Sequence, residues 1–356
     1  MGHFRKVDGV AKQATSEWTL VPERANELPV TNMTLPDQFQ GAIAAWLTSN
    51  SPGSRRAGTA ALTATYRAGG TSREADLAAY LVARLPATYA AVTRVLGEVA
   101  RLRPDFVPSS LLDAGSGPGT AAWAAAEVWE SLSDVTFLDV SPDFLRLAAD
   151  LAAQGRPPLS SARRMQGSIE MLPETVRADL VVASYALAEL PLSRVARAAG
   201  QLWTASRSML ALIEPGTPEG FARIAEARTV LLAQGAVPVA PCTHAGACPM
   251  TGGDWCHFSV RLARSRAHMH AKAASVPFED ERFSYLILAR DGQPAGGARV
   301  LAPPRHGKPG IDLKLCGDGQ VEIRHVARRD VATYKHAKKL DWGDILFPAR
   351  QEESDE

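Results

Sequence analysis

The chain has little cysteine, little net charge and no long hydrophobic run, and each absence excludes a class of protein. It contains 4 cysteines in 356 residues, too few for a secreted disulfide scaffold, which predicts a reducing compartment. Its formal net charge is +1, so any basic surface must be local. No apolar run reaches the roughly 20 residues of a membrane span, and the N-terminal region lacks the apolar core of a secretory signal. With 46% apolar residues, the chain is predicted to form one large globular domain or two domains.

Three of the four cysteines lie in one glycine-rich stretch, the cysteine loop (residues 241–258), which reads PCTHAGACPMTGGDWCHF. They are Cys242, Cys248 and Cys256, and Cys316 follows much later in the chain. Because glycines and prolines shape a tightly bent backbone, these thiolates can converge on one point, as a metal centre requires. The alternative is buried free cysteines that behave as small hydrophobes. The polar neighbours favour the metal site.

The cysteine spacing does not decide which metal is bound. Four thiolates suit structural zinc and an iron–sulfur cluster equally, and the spacing does not match the paired CxxC motifs of common zinc ribbons. His244 and His257 each lie near a cysteine, so a mixed Cys/His zinc site is a further alternative.

The first part of the chain, residues 1–105, is predicted to form a polar N-terminal arm followed by a helical cap. Apolar residues recur at helical spacing in the segment FQGAIAAWL and in residues 59–67, 72–85 and 87–102. Pro86 stands in the first turn of the last of these helices, where proline is tolerated.

A strand, a glycine-rich turn and a helix follow one another at residues 110–128. The apolar strand ends in Asp113, the glycine loop DAGSGPGT comes next, and the helix AAWAAAEVW follows. Gly115, Gly117 and Gly119 allow a sharp turn and a close approach to a ligand, while the helix N-terminus offers free N–H groups to an anion. This arrangement predicts a nucleotide-type cofactor site.

Further strands alternate with helices through residues 106–295, the predicted central domain, which favours a parallel, doubly wound sheet. The predicted strands are 134–139, a short one ending at 165–168, 178–184, 209–214 and 282–289. Asp139 ends the second strand, where an acid can bond ribose hydroxyls.

Both NAD and S-adenosylmethionine use such a sheet, and the acid at Asp113 favours the methyl donor. The pattern hh-D-x-G-x-G-x-G resembles the first motif of class I methyltransferases. Asp139 then matches their ribose-binding acid, and Gly167 and Ser168 match their adenine-side turn. Ordinary turn residues are the alternative, but three elements fall in the expected order within one α/β pattern.

Two basic segments are candidates for contacts with phosphate. The first, RLARSRAHMHAK at 261–272, is predicted to be a helix, and the second lies near the C-terminus around Tyr334 and Trp342. A solvated face explains such charges as well as phosphate binding does. The candidate residues are Arg261, Arg264, Arg266, Lys272, Arg328, Arg329, Lys335, Lys338 and Lys339.

Residues 296–356 are predicted to form a small β module with a basic helix. The segments RVL, IDLKLC and QVEIRHV have the composition of short strands, and Cys316 ends the second. The module must therefore fold back onto the central domain if Cys316 is to complete the metal site. Residues 351–356 form an acidic tail that we expect to be disordered.

Several segments together are similar to the methyltransferase-like proteins of the mitochondrial small ribosomal subunit and their bacterial relatives. They are LLDAGSGPGT, LIEPGTPEGF, PCTHAGACP, WCHFSVRLARSRAHMHAK, FEDERFSYL and KKLDWGD, and the resemblance covers roughly residues 35–347. It implies a class I methyltransferase fold that binds S-adenosylmethionine and a four-iron four-sulfur cluster ligated by Cys242, Cys248, Cys256 and Cys316. It also implies a partner in small-subunit rRNA or the pre-ribosomal small subunit. We expect a monomer in the cytoplasm or, in a eukaryote, the mitochondrial matrix.

Catalytic residues do not carry over from known methyltransferases. Amino-group methyltransferases often have an Asn/Asp-Pro-Pro-aromatic turn after the fourth strand, where this chain reads Ser184-Tyr185-Ala186-Leu187. Carbon-5 pyrimidine methyltransferases need a cysteine nucleophile, and all four cysteines are already assigned to the cluster. Three hypotheses therefore stand: an RNA methyltransferase that acts by positioning, a non-catalytic assembly factor, and a small-molecule methyltransferase with structural zinc.

Overall fold

The computed structural model describes residues 33–50, 77–250, 253–272 and 274–347, which fold around two β-sheets. The helices are α1 (Asp37–Ser49), α2 (Leu77–Ala83), α3 (Leu85–Leu102), α4 (Thr120–Val128), α5 (Pro142–Ala152), α6 (Leu192–Ala205), α7 (Pro218–Ala233), α8 (Arg266–Ala271) and α9 (Val331–Ala337). The strands are β1 (Ser110–Ala114), β2 (Asp134–Asp139), β3 (Arg163–Gln166), β4 (Ala178–Ser184), β5 (Ser206–Pro215), β6 (Val237–Ala240), β7 (Phe258–Ala263), β8 (Phe278–Ala289), β9 (Ala298–Val300), β10 (Arg305–His306), β11 (Gly310–Gly317), β12 (Gln320–Ala327) and β13 (Ile345–Leu346).

The large sheet has the strand order β3-β2-β1-β4-β5-β8-β6, with β7 also paired to β8. Strands β1 to β5 are parallel, whereas β8 runs antiparallel to β5. This order, with its one reversed strand next to β5, is that of class I methyltransferases. The predicted strands are confirmed, but the wholly parallel sheet was wrong, because β8 lies beside β5 and runs in the opposite direction.

Helices cover both faces of this sheet, as its strands require. Strand β1 is buried along its whole length and β4 along most of it, which is typical of parallel strands covered on both sides. Helices α3, α4 and α5 contribute to the core on one face, and α6 and α7 to the core on the other.

Helices α1, α2 and α3 lie in the described part of the segment that was predicted as a helical cap. Helix α3 has Pro86 in its first turn, and α1 is attached through Phe39, whose ring stacks on Trp123 with 4.4 Å between centroids. The prediction of a helix at 59–67 lies outside the described residues, as do the acidic tail and nearly all of the N-terminal arm. Within the described part of the chain, no helix is long and apolar enough to cross a membrane.

Strand β8 is long enough to pair with two strands along one edge. Its second half pairs with β6 and its first half with β7, both antiparallel. The cysteine loop leads from the end of β6 into β7, so the chain leaves this edge and rejoins it further along. The loop is thereby anchored to the sheet at both ends.

The predicted helix over residues 261–272 was wrong in its first part, which belongs to β7. Phe258, Val260 and Leu262 are buried while the residues between them are more exposed, the period-2 pattern of a strand. Helix α8 begins only at Arg266.

The C-terminal residues form a second sheet with the order β10-β11-β9-β13 and β12 on the other side of β11. Its strands include the three predicted ones, and α9 packs on β11 and β12. Val300, Leu313 and Leu315 are fully buried and form the centre of this module's core. Strand β9 holds the module together, since it pairs with both β11 and β13.

Candidate functional site

The glycine loop adopts a backbone that side chains rarely tolerate. Gly115, Gly117 and Gly119 have φ angles of +69°, +50° and +81°. A Cβ on Gly115 would lie 2.6 Å from the Cβ of Ala186, and one on Gly119 would lie 2.9 Å from the ring of Phe137. Two of the three glycines are therefore required by packing as well as by φ.

Gly117 differs from its neighbours because nothing crowds it. The nearest atom to a Cβ there would be the hydroxyl of Tyr80, at 3.8 Å. A ligand could approach the backbone most closely at this point of the loop.

Asp139 links the glycine loop to the start of α5. Its Oδ2 accepts a hydrogen bond from the N–H of Gly117 (2.8 Å), and its Oδ1 accepts one from the N–H of Ser141 (2.8 Å). Burial raises the pKa of this carboxyl, against the effect of the backbone donors. Each oxygen retains acceptor capacity, which a ribose hydroxyl could use.

Asp113 lies beneath the loop rather than in it. It is fully buried, and its Oδ2 accepts a hydrogen bond from the N–H of Ala122 (3.0 Å) in α4, while its Oδ1 has no partner in the structure. Burial raises its pKa to about 8, so the neutral acid dominates near pH 7. Its position joins the end of β1 to α4, which suits support of the loop better than ligand contact.

The turn after β3 is hydrogen-bonded to Asp139, the acid that contacts the glycine loop. The N–H of Gly167 donates to the carbonyl of Asp139 (3.0 Å), and Ser168 accepts through its Oγ from the N–H of Glu170 (3.2 Å). Next to these residues, Val140 and Met171 are 53% and 69% exposed, unusual for apolar side chains. Sequence reasoning missed both, although their positions beside the predicted acid and turn could have singled them out.

The turn after β4 is strained and internally bonded. Tyr185 has a φ of +59°, rare for a bulky residue, and its hydroxyl donates to Glu281 Oε1 (2.7 Å). The guanidinium of Arg84 lies 4.5 Å from the centroid of the Tyr185 ring and pairs with Glu281 at 3.1 Å. Burial raises the pKa of Tyr185 well above its usual value.

The acid that ends β5 is also directed inward. Glu214 is fully buried, and its Oε1 accepts a hydrogen bond from the N–H of Leu187 (2.9 Å). Burial raises its pKa to about 8. Tyr185 and Glu214 thus bond other parts of the fold at the ends of β4 and β5, although Glu214 Oε2 has no hydrogen-bond partner among the described residues.

The four cysteines line one cavity between α7, β8, the cysteine loop and the C-terminal sheet. Its empty volume, mouth included, is about 550 Å³. Cys242, Cys248, Cys256 and Cys316 are free and half-buried. Burial raises the pKa of Cys242, that of Cys256 more strongly, and that of Cys316 to about 12. Without a metal these three thiols are protonated at neutral pH.

The cavity contains four potential thiol ligands, but they are not arranged around a common metal position in the structure. Among the described residues, no group of three or more His, Cys, Asp or Glu side chains is arranged to hold a metal ion. His244 lines the same cavity, whereas the His257 ring stacks on Trp255 and meets Trp342 edge-on, each with 5.2 Å between centroids. Four sulfur atoms around one cavity remain a donor set that fits a thiolate-ligated metal.

Two buried arginines border the thiols, and sequence reasoning missed both. Arg228, on α7, donates through Nε to Cys242 Sγ (3.2 Å) and through Nη2 to the carbonyls of His244 (3.2 Å) and Gly246 (2.6 Å). It is 4% exposed. This single side chain thus bonds a cysteine sulfur and the backbone that follows it.

Arg299, on β9, joins three parts of the chain. It is 1% exposed and donates to the carbonyls of Pro241 (2.8 Å) and Gly343 (2.7 Å) and to Glu98 Oε1 (2.5 Å) in α3. Burial by itself would raise the pKa of Glu98, but the charges of Arg299 and Arg101 outweigh it and lower the pKa to about 2. The helical cap, the cysteine loop and the C-terminal module thereby meet at one buried ion pair.

Ion pairs engage three of the predicted phosphate-binding residues. Arg261 makes two hydrogen bonds to Asp280, of 2.7 and 2.8 Å, and Arg264 and Lys272 both pair with Glu279, at 3.3 and 2.6 Å. The remaining candidates are exposed, and RNA binding by either segment stays a prediction. These exposed candidates are Arg266, Arg328, Arg329, Lys335, Lys338 and Lys339.

One protein-family model matches the part of the chain that contains the glycine loop, the cysteines and the C-terminal module. The family model described as "Mitochondrial small ribosomal subunit Rsm22" matches residues 74–347. The human protein named "Ribosome assembly protein METTL17, mitochondrial" is 31% identical over 293 residues, which cover 75% of this chain and 61% of that protein. "Rsm22-cox11 tandem protein 2, mitochondrial" of Schizosaccharomyces pombe is 28% identical over 336 residues, covering 78% of this chain and 44% of that protein. The chain thus spans less than two thirds of these relatives.

Similar solved structures include methyltransferases of low sequence identity. Magnesium protoporphyrin IX methyltransferase from Synechocystis with bound SAM has a TM-score of 0.40 and 15% identity, covering 68% of this chain and 100% of that one. The N-methyltransferase NodS from Bradyrhizobium japonicum has a TM-score of 0.40 and 12% identity, covering 64% and 99%.

Proposed function

This chain belongs to the mitochondrial small ribosomal subunit Rsm22 family, and we propose that it binds small-subunit rRNA and acts in assembly of the small ribosomal subunit. The observation that carries the proposal is the extent of the family match, which takes in the glycine loop, the cysteine loop and the C-terminal module together. Its human relative is named a ribosome assembly protein. The exposed basic residues of the C-terminal module supply charges suited to an RNA backbone.

The cofactor of the glycine loop is S-adenosylmethionine in this proposal. The uncrowded backbone at Gly117, the acid Asp139 and the turn at Gly167 support it, since they lie together where the fold binds a nucleoside. The exposed apolar side chains of Val140 and Met171 would suit the faces of an adenine ring.

The metal centre is a four-iron four-sulfur cluster held by the four cysteines, with structural zinc as the alternative. Such a cluster supplies a redox-active iron centre and a covalent link between its ligands. Here the link would join the cysteine loop to Cys316 of β11, and so the central domain to the C-terminal module. Because burial raises the thiol pKa values, loading the metal must release protons.

An assembly factor without methyl transfer is the second candidate. It is favoured by the hydrogen bonds of the Tyr185 hydroxyl and Glu214 Oε1, which engage these groups within the fold where catalytic side chains would otherwise be sought. In this case the cofactor and the cluster would stabilise an RNA-binding shape.

Deleting the gene in its own organism and sedimenting the ribosomal particles tests the proposal. We expect small-subunit precursors to accumulate, and the protein to crosslink to small-subunit rRNA. Normal particles together with no crosslink would overturn it. Complementation with Gly117→Arg and with the unmodified protein separates the two candidates: an rRNA methylation that is present with the unmodified protein and lost with the variant identifies the enzyme, whereas identical rRNA methylation in both strains identifies the scaffold.

A further inference from the structure

Arg228 is a buried cation for which the structure offers no carboxylate. Its three hydrogen-bond acceptors are one cysteine sulfur and two backbone carbonyls, and no Asp or Glu among the described residues forms an ion pair with it. Burying an uncompensated charge is strongly unfavourable, so buried charges are normally paired. A side chain that is 4% exposed therefore needs a negative charge that no described carboxylate supplies.

The cavity that Arg228 borders is the place from which that charge can come. Zinc with four thiolates carries a net charge of about −2, and so does an oxidised four-iron four-sulfur cluster with four thiolates. Arg299 adds a second, independent observation, because its Nη2 is buried, has no hydrogen-bond partner and belongs to a side chain that lines the same cavity. Glu98, which also pairs with Arg94 and Arg101, is the carboxylate partner of Arg299, whereas Arg228 has no carboxylate partner among the described residues.

We propose that Arg228 is the counter-cation of an anionic metal–thiolate centre and positions its ligands, while Arg299 Nη2 donates a hydrogen bond to the same centre. The inference rests on the proposed metal site and goes beyond it, since it assigns residues that are not ligands. Arg228 acts in two ways: its charge stabilises the anionic centre, and its bonds to the carbonyls of His244 and Gly246 shape the loop between Cys242 and Cys248. Partners of metal ligands typically alter metal affinity by about 10- to 100-fold.

The test compares Arg228→Gln and Arg228→Lys with Arg223→Gln. Arg223 lies on the same helix and also donates to backbone carbonyls, those of Leu190 and Glu219, but it does not line the cavity. The anaerobically purified proteins are challenged with a chelator, and their unfolding temperatures are measured with and without metal. We expect Arg228→Gln to weaken metal retention about 10- to 100-fold, Arg228→Lys less, and Arg223→Gln not at all.

A role in folding alone gives a different result. If Arg228 only shapes the loop, Arg228→Gln lowers the unfolding temperature equally in the metal-bound and metal-free proteins, and the inference is overturned. If it is the counter-cation, the loss is larger in the metal-bound protein. Should Arg228→Gln not fold, the same comparison is made with Arg228→Lys, which keeps the charge but not the planar donors.

Two further measurements keep this proposal separate from the proposed metal site. The contents of iron, sulfide and zinc are first measured in the unmodified protein. Absence of all three rejects the metal site together with the inference. If iron and sulfide are present, the midpoint potential of the cluster is measured. Removing a cation disfavours the more negative reduced state, so Arg228→Gln should shift the potential downward relative to Arg223→Gln. Metal retention and potential equal to those of the control would reject the inference alone.

Discussion

The glycine loop and the cysteine cavity are built in opposite ways. The first is made almost wholly from one strand, one turn and one helix that follow each other in the chain, with Asp139 at the end of the next strand. The second draws on α3, α7, the cysteine loop and the C-terminal module. A locally built site depends on backbone conformation, whereas a site assembled from distant segments depends on the buried interactions that hold those segments together.

The pKa of a buried carboxyl is also shifted in opposite directions in the two regions. Asp113 has backbone N–H groups but no cation as partners, so burial raises its pKa to about 8. Glu98 is as deeply buried, but Arg299 and Arg101 lower its pKa to about 2. The glycine-loop region thus contains a neutral acid and the cysteine region an ionised one at pH 7.

Breaking the ion pair beside the cysteine cavity should have the largest effect. Arg299→Met leaves Glu98 buried without its strongest counter-charge, and we expect the free energy of unfolding to fall by about 3–5 kcal/mol. Denaturant unfolding measures the loss. In the fraction that stays folded, cofactor affinity at the glycine loop should be nearly unchanged.

The double variant Arg299→Met/Glu98→Leu is the control for that prediction. Because it removes both charges of the pair but takes Glu98 away from Arg101, it should recover part of the lost stability. A double variant as unstable as the sum of the two single variants would contradict the interpretation that the buried charge is the cause.

The pH dependence should differ in sign between the two regions. The folded-state pKa of Glu98 lies below its ordinary 4.5, so its contribution is full above pH 4.5 and is lost as the pH falls toward 2, by about 3 kcal/mol in total. The folded-state pKa of Asp113 lies above its ordinary 3.8, so stability decreases as the pH rises from about 4 to about 8. Unfolding free energies across pH 3–8 should show a smaller acid loss in Glu98→Gln and a flatter profile in Asp113→Asn. Unchanged profiles in both variants would refute the assignment.

Alanine substitutions should separate packing from ligand approach within the glycine loop. Gly115→Ala and Gly119→Ala place a Cβ against Ala186 and Phe137, and each should cost about 1–3 kcal/mol of stability beyond the strain of positive φ. Gly117→Ala meets no such contact and should cost only about 1–2 kcal/mol. Calorimetry should nevertheless show that Gly117→Ala weakens cofactor binding; equal affinity to the unmodified protein would argue against ligand approach there.

Neutralising exposed cations should have the smallest effect on stability. Arg329→Gln and Arg261→Gln should each change the free energy of unfolding by less than about 1 kcal/mol. If Arg329 contacts an RNA phosphate, its loss lowers the slope of log affinity against log salt by roughly 0.7. Arg261 should contribute less, because Asp280 already binds its guanidinium. If the slope of log affinity against log salt is unchanged in both variants, the basic residues of both segments are only solvated and do not contact RNA.

The parts of the fold that follow from local patterns were predictable from the sequence. Strand β4 is a short apolar run and the glycine loop a strand–turn–helix signature, so both were found at nearly the right bounds. Strand β7 was missed because Arg261 was grouped with the basic residues that follow it, and residues 261–272 were predicted to form one helix. The alternation of Phe258, Val260 and Leu262 was present in the sequence and indicates the strand.

The buried charges of the cysteine cavity were not predictable in this way. Glu98, Arg228 and Arg299 are residue types that almost always lie at the surface. The burial of Glu98 and Arg299 depends on their pairing across 201 positions of the chain. Arg299 meets Glu98 only because β9 packs beside the cysteine loop, which is a property of the tertiary structure. The cysteines marked the place of this site, and the arginines that surround it emerged only from the fold.

The distance along the chain between Glu98 and Arg299 has a consequence for biosynthesis. Their positions differ by 201 residues. At about 5–20 residues per second, a ribosome making this protein needs roughly 10–40 seconds to pass from one to the other. The glycine loop and β1 to β5 are translated within that interval. Glu98 still lacks its main partner until the interval ends, and Cys316 is made only after it. The nascent chain can therefore form the glycine loop and the parallel strands around it early, whereas the cysteine cavity can close only near the end of translation.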